Sequence, residues 1–516
     1  MLNPLKFFVI EKKIEIQERV IAMNNKNFEV VDKKILENIV QRCRERNIII
    51  PTYEEMIHPE KVPDKIKQEL SNIGLWDLHP RNLYRITWKN EPKEKGGGYD
   101  GVNYMEIPSE LTGVKARIFI LLGKYFPTGS HKVGATFGPL VEKLIRGDFD
   151  PTRQKALWPS TGNYCRGGAY DSCLLACPSI AVLPEGMSRE RFEWLEKVGA
   201  EIYATPGCES NVKEVYDKTK ELKEARGDEI VVLNQFSEFG NAVWHYAVTG
   251  RAMEEVFEHH KFEGQRMSGL FLTQGSAGTL GCAEYLREKY PTIKVCAGEA
   301  LQCPTLLLNG YGGHRIEGIG DKHVPWIHNM KNMDMVADID DEACMNLLRL
   351  FNEPAGKEYL IAQGIDKKFV DELHLLGISS IANILGTIKM AKYYEMDEND
   401  VLLTVATDSM ELYQSRMKEL HEQFGEYTPY NAVGDFERYL MGVTIDYMLE
   451  LSYWDKKRMH NLKYFTWIEQ QGKTLEELNA QWYDENYWKE KMHSYEQWDD
   501  LIREFNERTG LLKQYI

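Results

Sequence analysis

The chain has 516 residues, of which 43% are hydrophobic and 28% are charged, and its formal net charge is −16 at pH 7. This length suits two or three globular domains with a sizeable core. The acidic balance argues against non-specific nucleic-acid binding and against docking on an anionic membrane, because both need basic patches. We therefore expect neither nucleic acid nor a membrane among the partners.

The nine cysteines show no paired spacing, and no histidine stands at ligand spacing beside the cluster Cys165, Cys173 and Cys177. Zinc sites and disulfide frameworks both require such spacing. Reduced thiols are typical of a reducing compartment. The pattern therefore predicts a cytoplasmic protein without a metal site, and the lack of an uninterrupted apolar span predicts no transmembrane segment.

Residues 1–105 are predicted to form a mostly helical N-terminal extension. The segment is strongly charged, and stretches such as 32–46 have a helical spacing of apolar residues. The later part of this segment, which ends near residue 101, is looser and rich in proline and glycine. We find no candidate chemistry in this part of the chain.

Residues 106–420 alternate between short apolar strands and amphipathic helices. Strands are predicted at 156–158, 179–183, 201–204 and 230–233. Helices are predicted at 189–198 and 211–225. Such alternation is typical of an α/β fold with doubly wound parallel sheets, in which ligands bind at the carboxyl ends of the strands. Polar motifs that directly follow a strand are therefore the first candidates for a site.

The first such motif contains Lys132. An apolar run at 118–122 predicts a buried strand, which Pro127 and Gly129 break before a segment with helical spacing. Lys132 is therefore expected in the first turn of a helix, partly desolvated. Both conditions lower the pKa of an amine and favour a Schiff base. A lysine whose stem merely packs on apolar surface would show the same pattern.

Two further loops follow predicted strands. The loop 159–164 combines small hydroxyls, glycine and asparagine before a helix, so it could bind an anion or only cap that helix. The loop 275–279 lies between a predicted strand at 270–272 and a predicted helix at 283–289. Glycines there permit close backbone approach to a phosphate, although a plain tight turn would look alike. The spacing of a dinucleotide-binding loop is absent.

The last polar motif follows a predicted strand at 401–406. It consists of Thr407, Asp408 and Ser409. Taken alone, this turn could equally be an ordinary helix cap.

Residues 421–516 are predicted to form a helical C-terminal extension rich in tryptophan and tyrosine. Aromatic side chains on amphipathic helices usually pack against the body of a protein or against a partner subunit. We interpret this extension as a cap or an oligomer contact.

In this order the motifs resemble those of fold-type II pyridoxal-phosphate (PLP) enzymes, among them cysteine synthase, cystathionine β-synthase, threonine synthase and tryptophan synthase β. Pro127-Thr128-Gly129-Ser130-His131-Lys132 resembles the lysine motif of these families. The loop 159–164 is similar to the substrate-carboxylate loop of cysteine synthase, and the loop 275–279 to the phosphate loop. The resemblance implies two doubly wound parallel-sheet subdomains, the smaller and mobile one at about 155–240, between the two helical extensions.

The resemblance implies a role for each motif. Lys132 would carry PLP as an internal aldimine and act as the catalytic base, Asn163 would face the cofactor's ring oxygen, and Ser409 would meet the pyridine nitrogen. The residues implied in binding the PLP phosphate are Gly275, Ser276, Ala277, Gly278 and Thr279. The residues implied in framing the substrate carboxylate are Ser160, Thr161, Gly162 and Tyr164.

The resemblance also implies a reaction, which is PLP-dependent β-replacement on a small L-amino acid through an aminoacrylate intermediate, as in cysteine synthase. One alternative is α,β-elimination, which would use the same residues and release a keto acid and ammonia. A second alternative is a PLP-binding regulatory or partner subunit with little turnover, because the long extensions are unexplained. A homodimer is implied by the resemblance alone, and the sequence leaves open which amino acid and which nucleophile react.

Overall fold

Two β-sheets organise the fold. The protein is described here by a computed structural model that covers residues 28–160 and 162–515. In chain order the strands of this part are β1 (Tyr104–Ile107), β2 (Arg117–Leu122), β3 (Lys155–Pro159), β4 (Ser179–Pro184), β5 (Glu201–Thr205), β6 (Ile230–Val232), β7 (Arg266–Thr273), β8 (Lys294–Ala300), β9 (Met335–Ile339), β10 (Asp400–Ala406) and β11 (Met448–Glu450).

The larger sheet has the strand order β1-β2-β10-β7-β8-β9-β11, and the smaller sheet has the order β5-β4-β3-β6. All pairs in the smaller sheet are parallel. The five central strands of the larger sheet are also parallel, whereas its edge strands β1 and β11 run antiparallel to their neighbours. Strands of this kind are buried on both faces, which explains their nearly continuous apolar sequences.

Helices pack on both sheets and form the terminal regions. The α-helices are Lys33–Glu45, Tyr53–Ile57, Asp64–Leu70, Ser109–Thr112, Lys132–Ile145, Asn163–Leu174, Arg189–Lys197, Val212–Arg226, Phe239–Trp244, Gly250–His260, Gly281–Lys289, Thr305–Leu308, Asp341–Asn352, Pro354–Ala362, Lys367–Glu372, Ile378–Tyr393, Gln414–Phe424, Pro429–Phe436, Tyr453–Lys463, Leu475–Tyr483, Tyr487–His493 and Tyr495–Thr509. No helix of the described residues is long and apolar enough to cross a membrane.

The topology brings the polar loops together at the carboxyl ends of the parallel strands of the larger sheet. The chain leaves this sheet after β2, builds the smaller sheet with β3 to β6, and returns to form β7. β2 and β10 are parallel neighbours, with Leu122 opposite Ala406. The segments that follow these two strands therefore start side by side, at the same end of the sheet. Asn383 aligns the ends of β7 and β10, because its side chain accepts a bond of 2.8 Å from Thr273 N and donates one of 2.7 Å to Val405 O.

The predicted α/β fold with two parallel sheets is confirmed. The difference lies at the edges of the larger sheet, where β11 belongs to the C-terminal region that was expected to be helical. A three-residue strand has too little sequence pattern for a prediction, and it forms here because β9 offers an open edge. The domain boundaries at 105/106 and 420/421 stay predictions.

The two terminal regions pack against each other. Asp499 accepts bonds from the backbone N–H groups of Tyr53 and Glu54, at 2.6 and 2.9 Å. Asn506 pairs with both backbone polar groups of Ile50, at 3.2 and 2.7 Å. Burial raises the pKa of the Asp499 carboxyl to about 7. The C-terminal helices therefore hold the N-terminal segment in place, a contact that neither segment shows in its own sequence.

Candidate active site

Lys132 begins the helix Lys132–Ile145, directly after a strained turn. Thr128 and Gly129 both have left-handed backbone angles, with φ of 64° and 70°. A β-branched residue rarely adopts this conformation, so the surrounding structure must impose it. The neighbouring His131 N–H donates to Thr407 O at 3.4 Å, which attaches the turn to the end of β10. The turn therefore fixes the start of this helix against the larger sheet.

The Lys132 amine lies in a poorly solvated, acidic surrounding. Burial lowers its pKa from 10.5 to about 8, and the carboxyl groups of Asp321, Glu209 and Asp408 oppose that shift. Desolvation disfavours the ammonium form, so the neutral fraction of the amine near neutral pH is far larger than that of an ordinary lysine. A neutral amine is the form that attacks a carbonyl carbon. The predicted position of Lys132 in the first turn of a helix agrees with the structure.

The loop after β3 presents polar groups of two kinds. Ser160 Oγ accepts a bond of 3.1 Å from the Gly162 N–H and one of 3.3 Å from Gln235 Nε2. Thr161 lies outside the described residues. Gly162 is needed for close packing, because a Cβ there would stand 2.8 Å from Cζ of Arg191. The first N–H groups of the helix Asn163–Leu174, which have no partner within the helix, face this loop.

Asn163 and Tyr164 leave this loop in different directions. Asn163 Nδ2 donates to Asp408 Oδ2 at 2.5 Å, while its Oδ1 is buried without a hydrogen-bond partner among the described residues. The Tyr164 ring packs edge-on against Trp158 at 5.5 Å between centroids. Its hydroxyl lies near acidic groups of the interior, which together with burial raise its pKa. Tyr164 can therefore bind an anion in the loop with its backbone N–H group but not with its hydroxyl.

The loop after β7 forms a cradle of backbone groups. Ser276 Oγ accepts bonds from Asn241 Nδ2 at 3.0 Å and from the Gly278 N–H at 3.3 Å. Ala277 has a left-handed backbone with φ of 63°, and Thr279 lies in the turn that leads into the helix Gly281–Lys289. The N–H groups at the start of such a helix form a favourable site for an anionic group.

Replacing Gly278 by alanine is expected to weaken phosphate binding in this loop. A Cβ at this position would stand 2.0 Å from Asn241 Oδ1, so Asn241 would have to leave its bond to Ser276. Losing a buried hydrogen bond of this kind corresponds to about a tenfold lower affinity. Titration of the apoprotein with PLP measures the change. Gly434→Ala is the control, since a Cβ there meets nothing within 4 Å, and an equal loss in both variants would contradict the expectation.

The turn after β10 places two polar side chains in the interior. Ser409 Oγ is buried and has no hydrogen-bond partner among the residues that the structure describes. Asp408 Oδ2 accepts bonds from Asn163 and from the Tyr413 hydroxyl, the latter at 2.7 Å. Burial raises the pKa of the Asp408 carboxyl, and Arg191 opposes this rise. The Ser409 hydroxyl and the hydrogen-bonded Asp408 carboxyl thus lie just after the end of β10.

Two groups around these loops were not found by sequence reasoning. The turn that ends in Asp321 is attached to the start of the loop 275–279, here called the phosphate-type loop, because the Gly320 N–H donates to Gln274 O at 2.8 Å. His314 Nε2 donates to Gly320 O at 2.8 Å, and Asp321 O accepts a bond of 2.8 Å from Thr305. Asp321 directly follows a glycine-rich segment, which was the one available signal.

The second missed group is a buried ion pair that connects the two sheets. Arg191, on a helix of the smaller sheet, pairs with Glu317, which also accepts a bond of 2.6 Å from Arg416. Arg191 Nη2 donates to the Tyr413 hydroxyl at 3.2 Å. No local pattern marks these residues, because they lie more than a hundred positions apart in the chain.

These features fit a phosphorylated pyridine aldehyde. Lys132 would supply a reactive amine and the loop 275–279 a cradle for the phosphate, and Ser409 and Asn163 have buried polar atoms without a hydrogen-bond partner among the described residues. Buried polar atoms without partners are uncommon in native proteins and point to an absent bound group. The fold and this set of groups are those that a PLP-dependent enzyme of fold type II requires.

Comparison with known proteins agrees with this class. Residues 102–357 match the sequence model of the family described as "Pyridoxal-phosphate dependent enzyme". The predicted cofactor, PLP, is thereby confirmed for the family.

Among curated relatives, the chain is similar to cysteine synthase of Staphylococcus aureus, with 29% identity over 316 residues that cover 61% of this chain and 93% of the relative. It is also similar to cystathionine β-synthase of Saccharomyces cerevisiae, with 26% identity over 60% of this chain and 59% of that protein. Among solved structures, an O-acetylserine sulfhydrylase from Entamoeba histolytica aligns over 66% of this chain and 94% of its own, with a TM-score of 0.53 and 23% identity. This structural likeness concerns the fold.

Proposed function

We propose that the chain catalyses β-replacement on a small L-amino acid. The observation that carries the proposal is the half-buried Lys132 amine, whose lowered pKa responds to Asp408 after β10 and to Asp321, which borders the loop after β7. The similarity to cysteine synthase and cystathionine β-synthase supports chemistry at the β-carbon. The bound cofactor would supply the electron sink that makes the α-proton acidic and lets the β-substituent leave.

The residues of the chain would then divide the work. Lys132 would hold the cofactor and, once released by the substrate amine, remove the α-proton as a general base. Ser160, Gly162 and the Tyr164 N–H would bind the substrate carboxylate, together with Thr161. These groups fix the direction of the Cα–H bond relative to Lys132, which is the main contribution of substrate binding to the rate.

The cofactor would be oriented by three contacts. The loop Gly275, Ser276, Ala277, Gly278 and Thr279 would bind its phosphate, and Asn163 would bind its ring oxygen. Ser409 would face the pyridine nitrogen. A neutral hydroxyl there leaves the nitrogen largely unprotonated, which favours prompt loss of a β-substituent over a long-lived carbanion. Homodimerisation and a cytoplasmic location stay predictions.

The test is a substrate screen with the purified protein. O-acetylserine, serine and cysteine are each incubated with and without sulfide or a thiol, and amino-acid and keto-acid products are measured. We expect a new β-substituted amino acid that appears only with the added nucleophile. Keto acid and ammonia without that product would instead establish elimination. Bound PLP without turnover of any substrate would favour a regulatory or partner subunit.

A further inference from the structure

A buried carboxyl, that of Asp321, lies beside Lys132, and one of its oxygens has no hydrogen-bond partner among the described residues. Asp321 is 2% exposed, and its Oδ1 has no hydrogen-bond partner among the described residues. Its Oδ2 lies 3.7 Å from the position that a Cβ on Gly275 would take, so the carboxyl borders the first glycine of the phosphate-type loop. The charges of Asp321 and Lys132 interact directly. The carboxyl is therefore part of the same site as the amine.

The backbone at Asp321 is held by hydrogen bonds. Gly320 is held by Gln274 on one side and by His314 on the other, and Asp321 O accepts from Thr305. Groups held in this way on a rigid turn are placed for a chemical role, whereas a carboxyl that only needs burial could move toward a partner. A buried carboxyl without full pairing costs stability, so the site requires an explanation.

We propose that Asp321 is a catalytic residue that donates a proton to the departing β-substituent, and that the substrate therefore carries a poor leaving group, such as the hydroxyl of serine or the thiol of cysteine. The inference deepens the proposed function and rests on it. Lys132 must accept the α-proton, so a second group is needed when the leaving atom must gain one. An acetate, as in O-acetylserine, leaves as a stable anion and needs no such acid.

The proton balance closes within the site. As the bond from Cβ to oxygen or sulfur breaks, its electron pair goes to the leaving atom, which takes the proton of Asp321 and departs as water or hydrogen sulfide. Asp321 is then a carboxylate. When a thiol attacks Cβ, the C–S bond forms as the Cα–Cβ double bond becomes single, the S–H proton passes to that carboxylate, and Cα takes back the proton that Lys132 had accepted. The acid is restored, and neither an oxidant nor a reductant is required.

The electrostatics of the apoprotein agree with this role. Burial raises the pKa of the Asp321 carboxyl to about 8, and Lys132 opposes the rise. The other titratable groups that sense the charge of Asp321 are Tyr216 and Cys303. An acid with this pKa keeps its proton at neutral pH and loses it as the pH rises through about 8. Catalysis that needs the proton should fall over the same range.

The experiment compares leaving groups in the holoenzyme. We expect Asp321→Asn to lower kcat/KM for serine and cysteine by about 10²-fold or more, and to change kcat/KM for O-acetylserine by less than about threefold. In the unchanged protein, activity with serine should fall above about pH 8, while activity with O-acetylserine should not fall there. Asp228→Asn, a change at an exposed carboxyl, should leave all values as they are.

A second readout does not depend on turnover. The infrared difference spectrum of the apoprotein and its Asp321→Asn variant at neutral pH should contain the carbonyl band of a protonated carboxyl. An equal loss for all three substrates, or a missing band, would overturn the proposal. If the unchanged protein turns over no amino acid, the proposed function fails, and the infrared band alone decides whether Asp321 holds a proton.

Discussion

Lys132→Ala is expected to abolish covalent attachment of PLP and to lower turnover by about 10³-fold or more, because the amine is both the anchor and the base. Borohydride reduction of the unchanged holoenzyme, followed by peptide mapping, should place the cofactor on the peptide that contains Lys132. The variant should yield no such adduct. An adduct on another lysine would contradict the assignment.

The control for this change is Lys124→Ala. Lys124 lies in the same connection between β2 and the helix Lys132–Ile145, but its side chain is partly exposed and pairs with Glu411. Its removal should affect neither the adduct nor turnover. Lys132→Ala should also not lower the unfolding midpoint of the apoprotein, because the removed ammonium was poorly solvated in the fold. A stable but inactive variant would separate the chemical role from a structural one.

Arg191→Leu is expected to lower the free energy of unfolding by about 3 kcal/mol, because it leaves Glu317 buried without its main partner. The pair is almost fully buried, with 0% and 5% of the two side chains exposed. Arg416 and the Ser188 N–H also contact Glu317, which places the cost at the lower end for buried pairs. Urea denaturation followed by tryptophan fluorescence measures the change.

Arg189→Leu is the matched control on the same helix. Arg189 is 78% exposed and, among the described residues, pairs only with Glu193 at the surface, so its loss should change stability by less than about 0.5 kcal/mol. Arg191 also packs on Gly162, so Arg191→Leu should raise KM for the amino acid as well. Equal destabilisation by both changes would contradict the stabilising role assigned to the buried pair.

Much of the core could be predicted from the sequence, because its signals are local. The strands β3 to β6 are short apolar runs, and periodicity alone places them within one or two residues. Lys132 follows a strand and a turn of proline and glycine, so its place at the start of a helix is a local consequence. The loop 275–279 likewise lies between a strand and a helix, as expected.

Other features were decided only by the tertiary structure. The strand β11 exists because β9 presents an open edge. The two terminal regions are held together by hydrogen bonds of Asp499 and Asn506. The pair Arg191–Glu317 joins segments 126 positions apart. Such contacts leave no periodic mark on either segment, so no local reading could have found them.

The site shows the same division between local and long-range information. Local sequence determined which residues carry the chemistry, since an amine, an anion loop and a glycine-rich turn are each recognisable where they stand. The tertiary structure decided their surroundings, namely the desolvation that lowers the pKa of Lys132 and the turn that brings Asp321 beside it. Desolvation and charge proximity depend on every segment that packs around a group, and that packing is set by the whole fold.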